Sequence, residues 1–139
     1  MPACRGHAVV PIALLVGVLA LGLAGPALAD ARDISVGGIY ICSITHDSAG
    51  YTSYDRAAQV NQRITEVLST PRFRRGAVVA VRQAGQAATV MVGDVLVFTV
   101  TPGDAAGTSV TPLELARQWA RLLAQGLSKA LPDASFHTF

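Results

Sequence analysis

Cysteine is scarce in this sequence. Of the 139 residues only Cys4 and Cys42 are cysteines, and Cys4 lies in an N-terminal segment that is typical of an export signal. Once that segment is removed, Cys42 has no partner in the chain and no internal disulfide can form. We therefore expect an apolar core to hold the domain together, even in an oxidising compartment.

An excess of charge of one sign is also lacking. The chain carries 11 Lys and Arg residues against 9 Asp and Glu residues. Loss of Arg5 with the N-terminal segment leaves ten basic residues (11 − 1) against nine acidic ones. A net charge of about +1 produces no field strong enough to favour nucleic acid or an anionic membrane surface. We expect no nucleic-acid partner.

The motifs of common catalytic and metal sites are missing. There is no G-x-S-x-G, no H-E-x-x-H, no paired-cysteine motif and no glycine-rich phosphate loop. Asp94 and Asp104 lie in predicted turns, where aspartate is favoured for hydrogen bonds to its own backbone. The sequence therefore predicts no catalytic residue, no cofactor and no metal site, and a non-enzymatic function.

Apolar residues are concentrated at the N-terminus. Residues 8–25 contain no charge, hydroxyl or amide side chain. A short basic start precedes them, and the small side chains of Ala27 and Ala29 follow. This pattern predicts a secretory signal at residues 1–29, cleaved after Ala29, and hence a periplasmic or secreted protein without a membrane span. The alternative is an uncleaved anchor, since this apolar run is nearly long enough to cross a bilayer.

The remainder of the chain shows strand and helix patterns in alternation. Runs rich in β-branched residues predict strands at residues 37–44, 77–83, 87–92 and 95–101. One-sided apolar spacing predicts two helices, the first from about residue 55 to Pro71 and the second from Thr111 to Pro132.

Both predicted helices have recognisable start signals. Thr52 or Ser53 can cap the first helix. In the second, Thr111 suits the cap, Pro112 suits the first helical position, and the Glu114 carboxylate is placed to accept from the cap amide.

The predicted order of elements is β-α-β-β-β-α. Tight turns join the last three strands into an antiparallel meander, and a helix links the first strand to the second as a parallel crossover requires. We expect an α+β two-layer sandwich, with both helices packed on one face of a four-stranded mixed sheet. Residues 37–132 form this domain, flanked by tails at 30–36 and 133–139. The sheet position of the first strand stays open, and the opposite sheet face is either solvated or covered by a partner.

These elements resemble a known family. The stretch VGDVLVFTVTPGDAAGTSVTPLELARQWARLLAQGL (residues 92–127) is similar to the extracytoplasmic N-terminal domain of bacterial small-conductance mechanosensitive channel proteins. Shared features are a Gly-Asp hairpin, a TVT strand end, an Asp-Ala pair and LA..WA on a closing helix. GGIYICSI and DRAAQVNQRI resemble that domain's opening strand and first helix. The resemblance implies an extracytoplasmic α+β accessory domain with no known catalytic residues. No channel helices follow, so we expect a stand-alone domain that does not conduct ions.

Cys42 is a candidate nucleophile, with His46 nearby in sequence. In an extended strand these residues lie roughly 13 Å apart, whereas a thiol–imidazole pair requires about 3 Å. A sharp bend at Thr45, or an approach by His137, would be needed to complete a site. We favour a buried core residue; an intermolecular disulfide and a reactive thiol are the alternatives.

The candidate binding residues come from two segments, a polar-aromatic loop and a basic cluster around one phenylalanine: His46, Asp47, Tyr51 and Tyr54 in the loop, and Arg72, Arg74 and Arg75 in the cluster. The alternative interpretation of each segment is a solvated loop that binds no ligand.

The favoured function is protein–protein interaction at the cell envelope, with an envelope protein or a second copy as partner. The alternative is a binding module for a small molecule or cell-wall fragment, whose mouth both segments form. A thiol-dependent enzyme using Cys42 is the third hypothesis.

Overall fold

A computed structural model describes residues 30–139; the predicted signal at residues 1–29 lies outside the described residues. The elements follow one another in this order: β1 (Asp33–Val36), β2 (Ile39–Ser43), α1 (Ser53–Ser69), a 3-10 turn (Pro71–Phe73), β3 (Gly76–Ala84), β4 (Ala87–Val92), β5 (Val95–Val100), a short α2 (Pro102–Ala105), α3 (Pro112–Ala130) and β6 (Ser135–Thr138).

The strands of the described chain form two sheets. One is mixed and four-stranded, in the order β5-β4-β3-β6, and the other is the β1–β2 hairpin. Strands β3 to β5 form the predicted antiparallel meander, and β6 joins β3 in parallel. The α+β class with a four-stranded mixed sheet is confirmed.

The fourth strand of the mixed sheet differs from the expected one. The predicted first strand pairs with β1, in the segment predicted as an N-terminal tail. The fourth strand of the mixed sheet is instead β6, which forms from the predicted tail at residues 133–139 and pairs with β3. Burial explains both additions, because Ile34 and Val36 of β1 and Phe136 of β6 all enter the core. The structured domain is therefore wider than residues 37–132 at both ends.

Helix α1 begins with a complete capping box. The Thr52 hydroxyl accepts from the Asp55 amide, and the Asp55 carboxylate accepts from the Thr52 amide. Helix α3 has Pro112 in its first turn, and the Thr111 hydroxyl accepts from the Glu114 amide at 3.2 Å. The expected hydrogen bond from the Thr111 amide to the Glu114 carboxylate is not formed. Its carboxylate lies 3.5 Å from Arg117 instead.

Helix α3 is the centre of the core. It packs against the mixed sheet and against the hairpin, while α1 packs against β5 and β1. Trp119 lies among buried apolar side chains, as expected, with its ring centroid 5.3 Å from that of Phe98. The hairpin approaches α3 at Gly126, where an added Cβ would stand 2.6 Å from the Val36 carbonyl oxygen. This approach requires glycine and fixes the hairpin against the helix.

Within residues 30–139, no helix covers the other face of the mixed sheet. Its apolar residues are only partly buried, and they include Val78, Ala80, Met91 and Leu96. No helix of the described residues has both the length and the apolar character that crossing a membrane requires.

Candidate functional site

The predicted recognition loop connects β2 to α1 and is held by several hydrogen bonds. The Asp47 carboxylate accepts from the Ser53 amide at 2.7 Å, so it holds the start of α1 rather than facing a ligand. Ser48 and Tyr51 exchange two backbone hydrogen bonds of 2.9 Å across a two-residue turn. Both central residues have positive φ, 52° at Ala49 and 82° at Gly50. Alanine is strained in this conformation.

A buried ion pair lies next to this loop and is hydrogen-bonded to it. Arg56 on α1 forms a bidentate contact with Asp104 on α2, at 3.0 and 2.7 Å. Their side chains are only 11% and 3% exposed. Arg56 also donates to the carbonyl groups of His46 and Thr99. One guanidinium therefore ties together the loop, the end of β5 and α2.

The pKa of Asp104 reflects this environment. Burial alone would raise it, but the hydrogen bond from Arg56, the Thr101 backbone amide and the Arg56 charge lower the pKa below its usual value. Asp104 is therefore a carboxylate at neutral pH, and the site contains a matched pair of charges.

A small cavity opens beside this ion pair. Its volume is about 190 Å³, and Ser48, Tyr51, Arg56, Gln59 and Arg63 contribute its polar lining. Within the described residues Arg63 forms no ion pair. The guanidinium of Arg56 is thus paired with Asp104, whereas that of Arg63 can bind a small anion in the cavity.

The other two loop candidates point elsewhere. His46 is exposed, and its Nδ1 lies 2.9 Å from the Thr45 hydroxyl. Tyr54 lies under the guanidinium of Arg32, which stands 5.0 Å from the ring centroid. Of the four candidate residues in the loop, Tyr51 is the one that lines the cavity.

The predicted arginine cluster does not join the loop. Arg72, Arg74 and Arg75 follow the C-terminal end of α1, whereas the loop precedes its N-terminal end. A helix of 17 residues separates them by about 25 Å. Arg72 also has local partners, the Asp94 carboxylate at 2.9 Å and the Phe73 ring at 4.7 Å. The two segments cannot form the mouth of one small site.

Cys42 is part of the core. It is 6% exposed and lies opposite Ile34 in the β1–β2 hairpin. Burial raises the pKa of its thiol far above the ordinary value, and the nearby Asp104 carboxylate adds to this effect. The thiol form therefore predominates at neutral pH, and a thiol is a much weaker nucleophile than a thiolate.

Another concave surface lies at a place that sequence reasoning missed. A depression of about 750 Å³ runs along the outer side of α3, between β2 and β6. We call it the α3–β6 groove and define it by Arg121, Gln125 and Lys129 on α3 and by Phe136 and Thr138 on β6. A second depression of about 210 Å³ continues it past the end of β6, along β3.

The α3–β6 groove has a basic character and an unpaired sheet edge. Arg121, Lys129 and His137 line it, and none of its described lining residues is acidic. In the described part of the chain neither Arg121 nor Lys129 forms an ion pair. Among the strands of residues 30–139, β6 lies at the edge of the mixed sheet and pairs with β3 alone. The sequence signal for this groove is the polar side of α3, where Arg121, Gln125 and Lys129 are exposed.

Comparison with known proteins places the chain in a family. The model of the family described as Domain of unknown function (DUF8459) matches residues 33–130. The chain belongs to this family. No curated protein and no solved structure matches it. The DUF8459 match includes β1 through α3 and therefore the floor of the α3–β6 groove. It ends before β6, which forms the wall.

Proposed function

We propose that this chain is a non-enzymatic domain of the cell envelope that acts through protein contacts, and that its partner occupies the α3–β6 groove. The observation that carries the proposal is the groove itself, where a large open concavity adjoins an unpaired sheet edge. Exposed strand edges are normally blocked by charge or cover, and a free edge beside a groove is a frequent site of peptide recognition.

The environments of the candidate reactive side chains favour a function in protein binding rather than catalysis. Cys42 is buried with a raised pKa, and Asp104 is neutralised by Arg56. Asp47 accepts a backbone hydrogen bond at the start of α1. These groups are committed to stabilising the fold, whereas the cations of the groove face solvent without a described partner.

The envelope location rests on the sequence. Residues 8–25 and the small residues before Asp30 have the pattern of a secretory signal. The resemblance to the extracytoplasmic domain of mechanosensitive channel proteins agrees with this location and with an accessory role. On this proposal the mature chain is periplasmic or secreted.

Site-specific photo-crosslinking tests the proposal. A photoreactive residue replaces Gln125 in the groove, and the matched control carries it at Gln62, an exposed position on α1. In cells of the source organism we expect one discrete adduct from position 125, with the crosslinked peptide mapped to an envelope protein, and loss of that adduct on Arg121→Glu. No adduct at position 125, or the same adduct from position 62, would contradict the proposal.

A small-molecule site at the loop cavity is the second candidate function. Its support is the available guanidinium of Arg63 in a lined cavity of about 190 Å³. N-acetylmuramic acid, an anionic cell-wall fragment, is a suitable probe. A ligand that binds the native state raises the melting temperature by mass action. We expect such a rise to disappear in Arg63→Ala and to persist in Arg74→Ala; an equal rise in both variants would exclude this site.

A further inference from the structure

We propose that the α3–β6 groove binds an extended acidic segment of a protein, which adds a strand to the outer edge of β6. This inference rests on the proposed function and names the chemistry of the partner. It combines three features of the groove: backbone groups on the strand edge, two cations on α3 and an apolar strip between them.

The backbone of β6 offers hydrogen bonds to an added strand. The Ser135 amide donates to the Arg75 carbonyl, on the β3 side, at 3.1 Å. Backbone N–H groups alternate in direction along a strand, so the amides of Phe136 and Thr138 point into the groove. The Phe136 amide makes a long contact of 3.4 Å with the Ser128 hydroxyl. The Thr138 amide and the carbonyl groups beside it are left for a partner.

The two cations match the repeat of an extended peptide. β6 runs back along α3, since Phe136 contacts Ser128 and Thr138 lines the same depression as Arg121. Arg121 and Lys129 are eight residues apart on α3, which corresponds to about 12 Å along the helix axis. In an extended segment, residues four apart lie on one face and are separated by about 13 Å. Carboxylates at positions i and i+4 can therefore reach both cations.

An apolar strip lies between the cations. Ala124 on α3, Phe136 on β6 and Ile39 on β2 contribute its apolar lining. The residue at position i+2 of the bound segment faces the same way as the two carboxylates. We therefore expect an aliphatic side chain there, which gives an acidic–apolar–acidic pattern at every second residue.

A short peptide tests this pattern directly. The probe is the capped, fluorescently labelled nonapeptide STETVTETS, with glutamate at its third and seventh positions and valine between them. STEETVTTS places its glutamates on opposite faces, and STKTVTKTS reverses their charge. A fourth peptide repeats the probe with N-methyl groups on alternate backbone amides, on the edge that would face β6. Fluorescence anisotropy with the full mature chain measures the affinity of each.

Charge reversal on the protein supplies the decisive comparison. We expect the probe to bind better than the three control peptides by roughly fivefold or more, and to weaken by a similar factor with Arg121→Glu or Lys129→Glu. Arg74→Glu makes the same charge change away from the groove and should leave binding unchanged. The double variant Arg121→Glu with Lys129→Glu should instead prefer STKTVTKTS, and higher salt should weaken both complexes.

Each alternative outcome has a definite meaning. Equal binding of the acidic and lysine peptides would overturn the charge assignment, and equal binding of the N-methylated peptide would overturn strand addition. If these peptides fail while the crosslink from position 125 still identifies one envelope protein, this inference is wrong and the proposed function stands. If the crosslink also fails, both are wrong.

Discussion

The ion pair between Arg56 and Asp104 allows a quantitative test of how the fold is held together. Arg56→Leu leaves the Asp104 carboxylate, which is 3% exposed, without its counter-charge. Removing one partner of a buried pair typically costs about 3–5 kcal/mol, because an uncompensated charge stays behind. A folded domain has only about 5–15 kcal/mol of total stability. For roughly 110 residues, such a loss lowers the melting temperature by about 13–22 °C.

The chain contains a matched control for this substitution. Arg72 and Asp94 form the same kind of contact at 2.9 Å, but their side chains are 52% and 76% exposed. Arg72→Leu should cost no more than about 1 kcal/mol, because solvent screens an exposed pair. Urea unfolding followed by circular dichroism measures both variants. Equal losses from Arg56→Leu and Arg72→Leu would refute the reasoning.

The same pair predicts a pH dependence with a defined sign. The pKa of Asp104 is lowered in the folded state, so its contribution is present above the unfolded-state value near 3.9. That contribution declines as the pH falls below this value, because the unfolded state then binds more protons. The difference in unfolding free energy between wild type and Arg56→Leu should therefore shrink on acidification. Asp104→Asn should remove this dependence while it preserves the acceptor for the Thr101 amide.

Further predictions concern single residues in the core and the loop. The Cys42 thiol should resist a thiol-reactive dye at pH 8 in the native state and react fully in urea; rapid native labelling would contradict its burial. Gly126→Ala should destabilise the fold by roughly 1–3 kcal/mol, because its Cβ would meet the Val36 carbonyl oxygen at 2.6 Å; a gain in melting temperature, usual for this change in a helix, would disprove that contact. Ala49→Gly should raise stability by about 0.5 kcal/mol by relieving its positive φ, whereas Ala58→Gly on exposed α1 should lower it by about 1 kcal/mol. A loss in both variants, measured by urea unfolding, would refute the strain at position 49.

The sequence was informative where patterns were long. Helices α1 and α3 repeat their apolar spacing over several turns. The strands of the meander are rich in β-branched residues and are bounded by tight turns. The positions of these elements were therefore predicted closely. β1 and β6 have four residues each. A segment that short has at most two inward-facing side chains, which is too few to distinguish a strand from a tail. Their pairing is decided by packing on α3.

The candidate site depended on contacts that no local pattern contains. Arg56 and Asp104 are 48 residues apart in sequence, so their pairing appears only when α1 and α2 meet. The α3–β6 groove likewise requires the chain after α3 to return along the helix and pair with β3. The loop and the arginine cluster were predicted to form one mouth, but α1 lies between them and holds them apart.

Amide hydrogen exchange along β6, measured by NMR with and without STETVTETS, tests the central claim most directly. In the free chain we expect protection of His137, whose amide faces β3, and rapid exchange of Thr138, whose amide faces the groove. Addition of the peptide should slow exchange at Thr138 and leave exchange at Gln62 unchanged. Rapid exchange at both β6 residues would contradict the strand itself, and an unchanged rate at Thr138 with saturating peptide would contradict the proposed mode of recognition.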